Sequence, residues 1–412
     1  MAELEVIDGG VLAAEGFRGA AMHCGVKAAD VPDLSLIVAD SPCAAAATLT
    51  RNRFRAAPTY VTERHVANGQ AQAIVANSGN ANCATGAQGM ANAERMAEVT
   101  ASELGLQVED VLVCSTGIIG HQLPIANIEA GIRTLAGRLG RDDPELVARG
   151  IMTTDTFPKT RAFRLELGGR EVRIGGIAKG AGMIAPNMAT MLSFVTTDAA
   201  VEPAFLRDAL RWAVDRSFNC ISVDGCMSTN DTVIALANGA AGAEPIGFDA
   251  GADAEAFRDA LLAVLVELAK MIAGDGEGAT KLIEVSVSGA PSFLEARRIA
   301  RAVATYDLLK AAVYGEQFNW GRVVAALGSA GGAVDPARAR VRLAGLDVWC
   351  CGEPVAFDEA QAREALKPRE VRVEVDLRVG EAEAKAWTCD LTEDFVRENA
   401  GYEGPPAPEE GS

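Results

Sequence analysis

Val371, Val373, Val375 and Leu377 alternate with Arg372, Glu374, Asp376 and Arg378. A period of two sends one set to each face of an extended chain, so this segment reads as a strand with one buried and one wet side. Strands covered on both faces would be continuously apolar. Residues 282–287 and 341–349 carry the same kind of pattern. Helical writing runs between such strands. Phe257, Ala260, Leu261, Val264, Leu265, Leu268 and Ile272 follow 3.6-residue spacing, with Asp259, Glu267 and Lys270 opposite. Residues 90–104, 203–218 and 293–313 read as three more helices. The expected fold is therefore α/β (α+β): mixed or antiparallel sheets with helices packed outside them. Residues 239–254, rich in Gly and Ala, read as a linker, and residues 403–412 as a solvated tail.

Charge removes several function classes. The chain has 412 residues, 38 basic against 56 acidic, a net charge of −18 and a pI near 4.7. Such a surface repels phosphate backbones and anionic membranes, and no basic run with interleaved aromatics is present. No stretch offers the roughly 18 apolar residues of a membrane span. The acidic start, Met1 to Glu5, lacks the basic-then-apolar order of a secretory signal. Nine cysteines without a CxxC pair suit buried thiols in a reducing compartment, so the expected location is cytoplasmic. His23, His65 and His121 are scattered, and no metal site or organic cofactor is expected.

Glycine, threonine and asparagine gather in four places: residues 77–82 (NSGNAN), 115–120 (STGIIG), 177–192 and 222–232. The third lies within GIAKGAGMIAPNMATMLSF, residues 176–194. It is not a P-loop, because Lys179 precedes Gly180 and Gly182 and Pro186 interrupts the segment after them. On residue types alone it is a structural loop before a buried strand. A sharper reading makes Thr190 a nucleophile. A threonine hydroxyl needs an adjacent base, and its own free α-amine, with a reference pKa of about 7.7–8.0, would serve. The chain would then have to be cut between Ala189 and Thr190.

These runs resemble the autoproteolytic ornithine acetyltransferase/glutamate N-acetyltransferase (ArgJ) family of arginine biosynthesis. The resemblance continues, in order, through Gly16 to Ala20, Pro32 to Ile37, TTDTFPK at residues 153–159, GDGEGAT at 274–280, NWGR at 319–322, Asp390 to Thr392 and Asn399-Ala400. It implies a layered αββα-type sandwich. Thr190 would be both the self-cleavage residue and the acetyl acceptor, with Ala189 on the other side of the cut. Thr116 and Gly117 would form the oxyanion hole. Thr153 or Thr154, Lys179, Glu277 and Asn399 would bind substrate, along with Thr190. The products of the cut, residues 1–189 and 190–412, would stay intertwined as α and β chains and pair into an α2β2 heterotetramer. The substrates would be N2-acetyl-L-ornithine and L-glutamate, with acetyl-CoA a donor for some family members and left open here.

Residue by residue, plainer readings stand beside these. Thr116-Gly117 also reads as a strand-ending turn, and Lys179 and Glu277 as solvated charges. Two departures from the family pattern are plain: Cys226-Met227 replace polar residues in SVDGDTSTNDT, and Gly404 stands where a substrate-contacting hydroxyl is usual. The alternative functions are an N-terminal-threonine amidohydrolase or aminopeptidase, in which water takes the acyl group, and a non-enzymatic binding protein.

Overall fold

The computed structural model describes residues 3–140, 143–185 and 191–401. The Ala189/Thr190 junction, Gly404 and the tail at 403–412 lie outside the described residues.

A nine-stranded mixed sheet carries most of the first 240 residues. One half runs through Glu5–Ile7, Lys159–Leu167, Arg170–Lys179, Leu192–Thr197 and Thr232–Ala237. The other half holds Phe17–Met22, Gln70–Asn80 and Val111–Ile118. The 16-residue strand Leu34–Leu49 belongs to both. Its first part pairs with Phe17–Met22 and Gln70–Asn80, and its last part with Thr232–Ala237. Between Val38 and Cys43 its register against Gln70–Asn80 shifts. Such irregularities bend a strand.

The bend lets the two halves close on one another. Ile37, Ile74 and Leu112 from one half share a core with Ile177, Phe194 and Ile234 from the other. Helices cover both outer faces. Pro203–Val214 and Ala252–Gly274 pack on one half, and Ala57–His65, Gly86–Leu104 and Ile125–Ala136 on the other. The result is the expected αββα sandwich, built by folding one sheet over. All seven apolar positions singled out in Ala252–Gly274 are buried. Each fully buried side chain of the Leu or Phe class contributes about 1.5–3 kcal/mol.

Six strands from residues 282–389, with a seventh at one edge, build a second sheet with its own core against Phe293–Ala304 and Trp320–Ser329. Its edge strand Ile221–Ser222 pairs in parallel with Trp387-Thr388 and ties it to the sandwich. The alternating segment is the strand Glu370–Asp376, with Val371, Val373 and Val375 buried.

Four expectations change. Residues 341–349 form a hairpin, Arg340–Leu343 and Leu346–Cys350, because Ala344 (φ 48°) and Gly345 (φ 85°) supply a left-handed turn. Residues 293–313 split into Phe293–Ala304 and Asp307–Tyr314, since Tyr306 leaves the helical region (φ −81°, ψ 103°). The helix from Pro203 ends at Val214, and Phe218–Cys220 is a separate 3-10 turn. The glycine-rich stretch 239–254 separates no domains. Ile246 is buried and bridges to Val201, so the stretch returns to the core it left. The thiols are mostly buried, but Cys226 and Cys351 sit on turns and are exposed. Among the described residues no helix is long and apolar enough to cross a membrane.

Candidate active site

Strand ends bring the site together. Thr116 and Gly117 close Val111–Ile118, where the neighbouring strand shifts register at Gly79/Asn80. Gly117 takes φ 134°, and a Cβ there would overlap the backbone of Gly79 and Asn80. Only glycine fits that approach. The NSGNAN run is the scaffold beneath. Asn77 accepts from Ser115 Oγ at 2.6 Å, and Asn80 Nδ2 donates to the carbonyls of His121 and Gln122 at 3.2 and 3.1 Å. From the other half of the sheet, Asn230 Nδ2 donates to the carbonyls of Ser115 at 2.8 Å and Ala81 at 2.6 Å. The turn is fixed from both sides.

Lys179 ends the strand Arg170–Lys179 and is buried, not solvated. Its Nζ donates to Thr116 Oγ1 at 3.2 Å, although the two strands lie far apart along the sheet order. Folding the sheet over makes this contact possible. Burial pushes the Lys179 ammonium below the ordinary lysine range, with Asp155 pulling it back and Lys159 opposing.

Beneath Lys179 runs a buried chain of charges. Lys159 Nζ donates to Asp155 Oδ1 and to Asp275 Oδ2, both at 2.6 Å. Asp155 also accepts from the N–H of Gly180 at 2.6 Å and of Thr153 at 3.0 Å, while Thr156 binds Asp275 through both its N–H and its hydroxyl. Burial alone would raise the Asp155 carboxyl. Lys159, Lys179 and the Gly180 N–H outweigh it and hold the group down at about 2. Three loops are locked together by one lysine and two aspartates. Lys159→Met leaves both carboxylates buried without their cation, which should cost about 3–5 kcal/mol. Urea unfolding should show this as a large fall in midpoint, with Lys367→Met in an exposed pair leaving the midpoint in place.

Glu277 lies in the loop after Ala252–Gly274. Its Oε1 accepts from Thr154 Oγ1 and its Oε2 from Asn399 Nδ2, both at 2.9 Å. These three side chains line a cavity of about 530 Å³ together with Thr156, Asp275 and Glu398. Of the two threonines left open by sequence, Thr154 reaches the cavity, whereas Thr153 gives its backbone N–H to Asp155. Gly182 passes so close to Glu277 that a Cβ would strike its carboxyl, and Glu277 N–H donates to Ala181 O at 3.0 Å. The Lys179 arm and the Glu277 cavity are thus adjacent.

Both chain arms bordering the undescribed residues are anchored by aspartates from the 222–232 run. Asp224 accepts from the N–H of Met183 at 2.6 Å and of Ile184 at 3.3 Å. Asp231 accepts from the N–H of Met191 at 3.1 Å, and burial pushes its carboxyl well above the usual range. Cys226 and Met227 sit on the exposed turn between these two aspartates. The sequence pattern marks these runs but assigns no role to Asp155, Lys159, Asp224, Asn230 or Asp231. The available signal was charge and amide groups in glycine-rich loops, where no helix face could solvate them. Among the described residues no group of three or more His, Cys, Asp or Glu is placed to hold a metal ion.

A sequence model described as the ArgJ family matches residues 18–404. The "Arginine biosynthesis bifunctional protein ArgJ" of Symbiobacterium thermophilum is 53% identical over 401 residues, covering 97% of this chain and all of that one. The protein of the same name from Thermosynechococcus vestitus is 46% identical, covering 98% of this chain and 100% of its own. A crystal structure of the arginine biosynthesis bifunctional protein ArgJ from Bacillus halodurans is similar with a TM-score of 0.50 at 43% identity, covering 52% of this chain and 100% of that chain. Matched end to end by relatives that share about half its residues, the chain belongs to the ArgJ family.

Proposed function

We propose that this chain is an arginine-biosynthesis acetyltransferase that moves the acetyl group of N2-acetyl-L-ornithine to L-glutamate through an ester on Thr190. The observation that carries the chemistry is the buried Lys179–Thr116 pair beside Gly117, set next to the Glu277 cavity. Cleavage between Ala189 and Thr190 frees the Thr190 amine. That amine takes the hydroxyl proton as Oγ attacks the acetyl carbonyl, and the Thr116 hydroxyl and Gly117 N–H meet the developing oxyanion. Collapse expels ornithine, whose departing nitrogen takes the proton, and leaves acetyl-Thr190. The glutamate amine then attacks the ester, and Thr190 recovers its hydroxyl.

Glu277 suits the ornithine amine, and Lys179 the α-carboxylate that both substrates carry. Thr154 and Asn399 orient Glu277 from either side. The ladder between Arg170–Lys179 and Leu192–Thr197 spans the proposed cut, with Lys179 opposite Leu192. Residues 1–189 and 190–412 therefore stay together as one catalytic unit. By the family resemblance, that unit pairs as α2β2 in the cytoplasm.

Initial rates over a grid of acetylornithine and glutamate concentrations test this. One site used in turn gives parallel double-reciprocal lines. Intersecting lines would require both substrates to be bound at once and would remove the ester intermediate. Acetate release from acetylornithine at the transfer rate, with glutamate absent, would favour the hydrolase instead.

A further inference from the structure

Thr116 is 1% exposed, and its Oγ1 accepts from Lys179 Nζ. Among the described residues, nothing accepts the Thr116 hydroxyl proton. An ammonium carries three donors and no acceptor. As long as Lys179 is charged, the direction of the pair is fixed: Lys179 donates, Thr116 accepts, and the hydroxyl proton is left over. A neutral amine has a lone pair. The pair could then reverse, and Thr116 would spend its proton on Lys179.

We infer that Lys179 and Asp155 are positioning residues for oxyanion stabilisation. The Lys179 ammonium makes the Thr116 hydroxyl present its proton to the reacting carbonyl oxygen, and the Asp155 carboxylate keeps Lys179 charged while anchoring Gly180 beside it. This goes beyond carboxylate binding by Lys179, and it rests on the reading of Thr116 as an oxyanion donor.

Charged groups reach Lys179 from several elements. Asp155 and Lys159 come from the 152–159 segment, Glu277 from the loop after Ala252–Gly274, and Asp231 from the turn before Thr232–Ala237. Lys27 joins from the loop after Phe17–Met22, where burial lowers it to about 8 while its Nζ donates to the carbonyls of Pro32 and Met152. Asp155 favours the Lys179 ammonium more than any other neighbour does, and it is itself ionised at any working pH. Activity needs the ammonium, so it falls as pH rises through the Lys179 pKa. Removing the Asp155 charge lowers that pKa and moves the alkaline limb to lower pH.

The test is kcat against pH for wild type, Asp155→Asn, Lys179→Arg, Thr116→Ala, Lys179→Met and the Thr116→Ala/Lys179→Met pair, expressed per cleaved site as counted by mass spectrometry. Asn at 155 keeps an oxygen for the Gly180 N–H and for Lys159, and loses the charge together with the acceptor of the Thr153 N–H. Its alkaline limb should move down by about one pH unit or more. Lys179→Arg, charged throughout, should lose the limb from the measurable range. Lys179→Met should cost about tenfold or more in kcat when Thr116 is present and clearly less when it is absent, while its loss of carboxylate binding raises KM in both backgrounds. A limb that persists in Lys179→Arg belongs to another group, such as Lys27, and overturns the inference. So does an equal cost of Lys179→Met in both backgrounds. Wild-type kcat in Thr116→Ala would instead remove the oxyanion reading itself. Should Asp155→Asn fail to fold, Lys179→Arg and the double-mutant comparison still decide.

Discussion

Thr116→Ala should lower kcat for acetyl transfer by about 10²–10³-fold, with a modest fall in melting temperature because Lys179 loses its acceptor. The Thr116 Oγ1 accepts from the buried Lys179 ammonium, so truncation leaves that ammonium without this partner and costs about 1–3 kcal/mol of folding energy. What it removes is a donor held in a buried site, where water cannot replace it at the moment charge develops. Because the loss falls on the transition state, kcat should drop with little change in KM for acetylornithine. A rise in KM at constant kcat would place Thr116 in ground-state binding. Thr116→Ser is the companion variant: it keeps the hydroxyl and should keep most of the rate.

Gly117→Ala should be damaging for a different reason. The residue takes φ 134°, a region that side chains avoid, and a Cβ would meet the backbone of Gly79 and Asn80. Backbone strain costs about 1–3 kcal/mol and overpacking a similar amount, so a loss of about 2–6 kcal/mol is expected. Urea unfolding followed by circular dichroism measures it. Gly120→Ala is a useful comparison, because Gly120 also has positive φ (91°) but open space around it. It should show the strain without the clash. Equal losses at 117 and 120 would show that the close approach of Gly117 to the Gly79-Asn80 backbone contributes nothing.

Much of the fold is legible locally. The period of Val371 to Arg378 and the apolar face of Ala252–Gly274 depend on neighbours two to four residues away, and both stand out in the sequence by themselves. The folding-over of the nine-stranded sheet does not. It turns on one 16-residue strand, Leu34–Leu49, whose two ends pair with different partners. Nothing in its alanine-rich second half announces that change. The turns that split residues 293–313 and 341–349 are hidden for a related reason: Tyr306 and Ala344 are ordinary residues in conformations that tertiary packing selects.

The site divides in the same way. Thr116, Gly117, Lys179, Glu277 and Asn399 came from family resemblance, and the structure places them in two adjacent groups. The ion chain of Asp155, Lys159 and Asp275 was illegible, since burial of a charge depends on partners more than a hundred residues away. Lys179 shows the difference most clearly. Composition favours a surface lysine, and only the closed sheet makes it a buried donor to Thr116.

A self-generated N-terminal threonine is tested most directly by the denatured mass of the purified protein. Wild type should give two chains meeting at Ala189/Thr190, co-purifying until denatured, while Thr190→Ala should give one intact chain without transferase activity. A single intact wild-type chain that nevertheless transfers acetyl groups would contradict the account, because the proposed base would not exist.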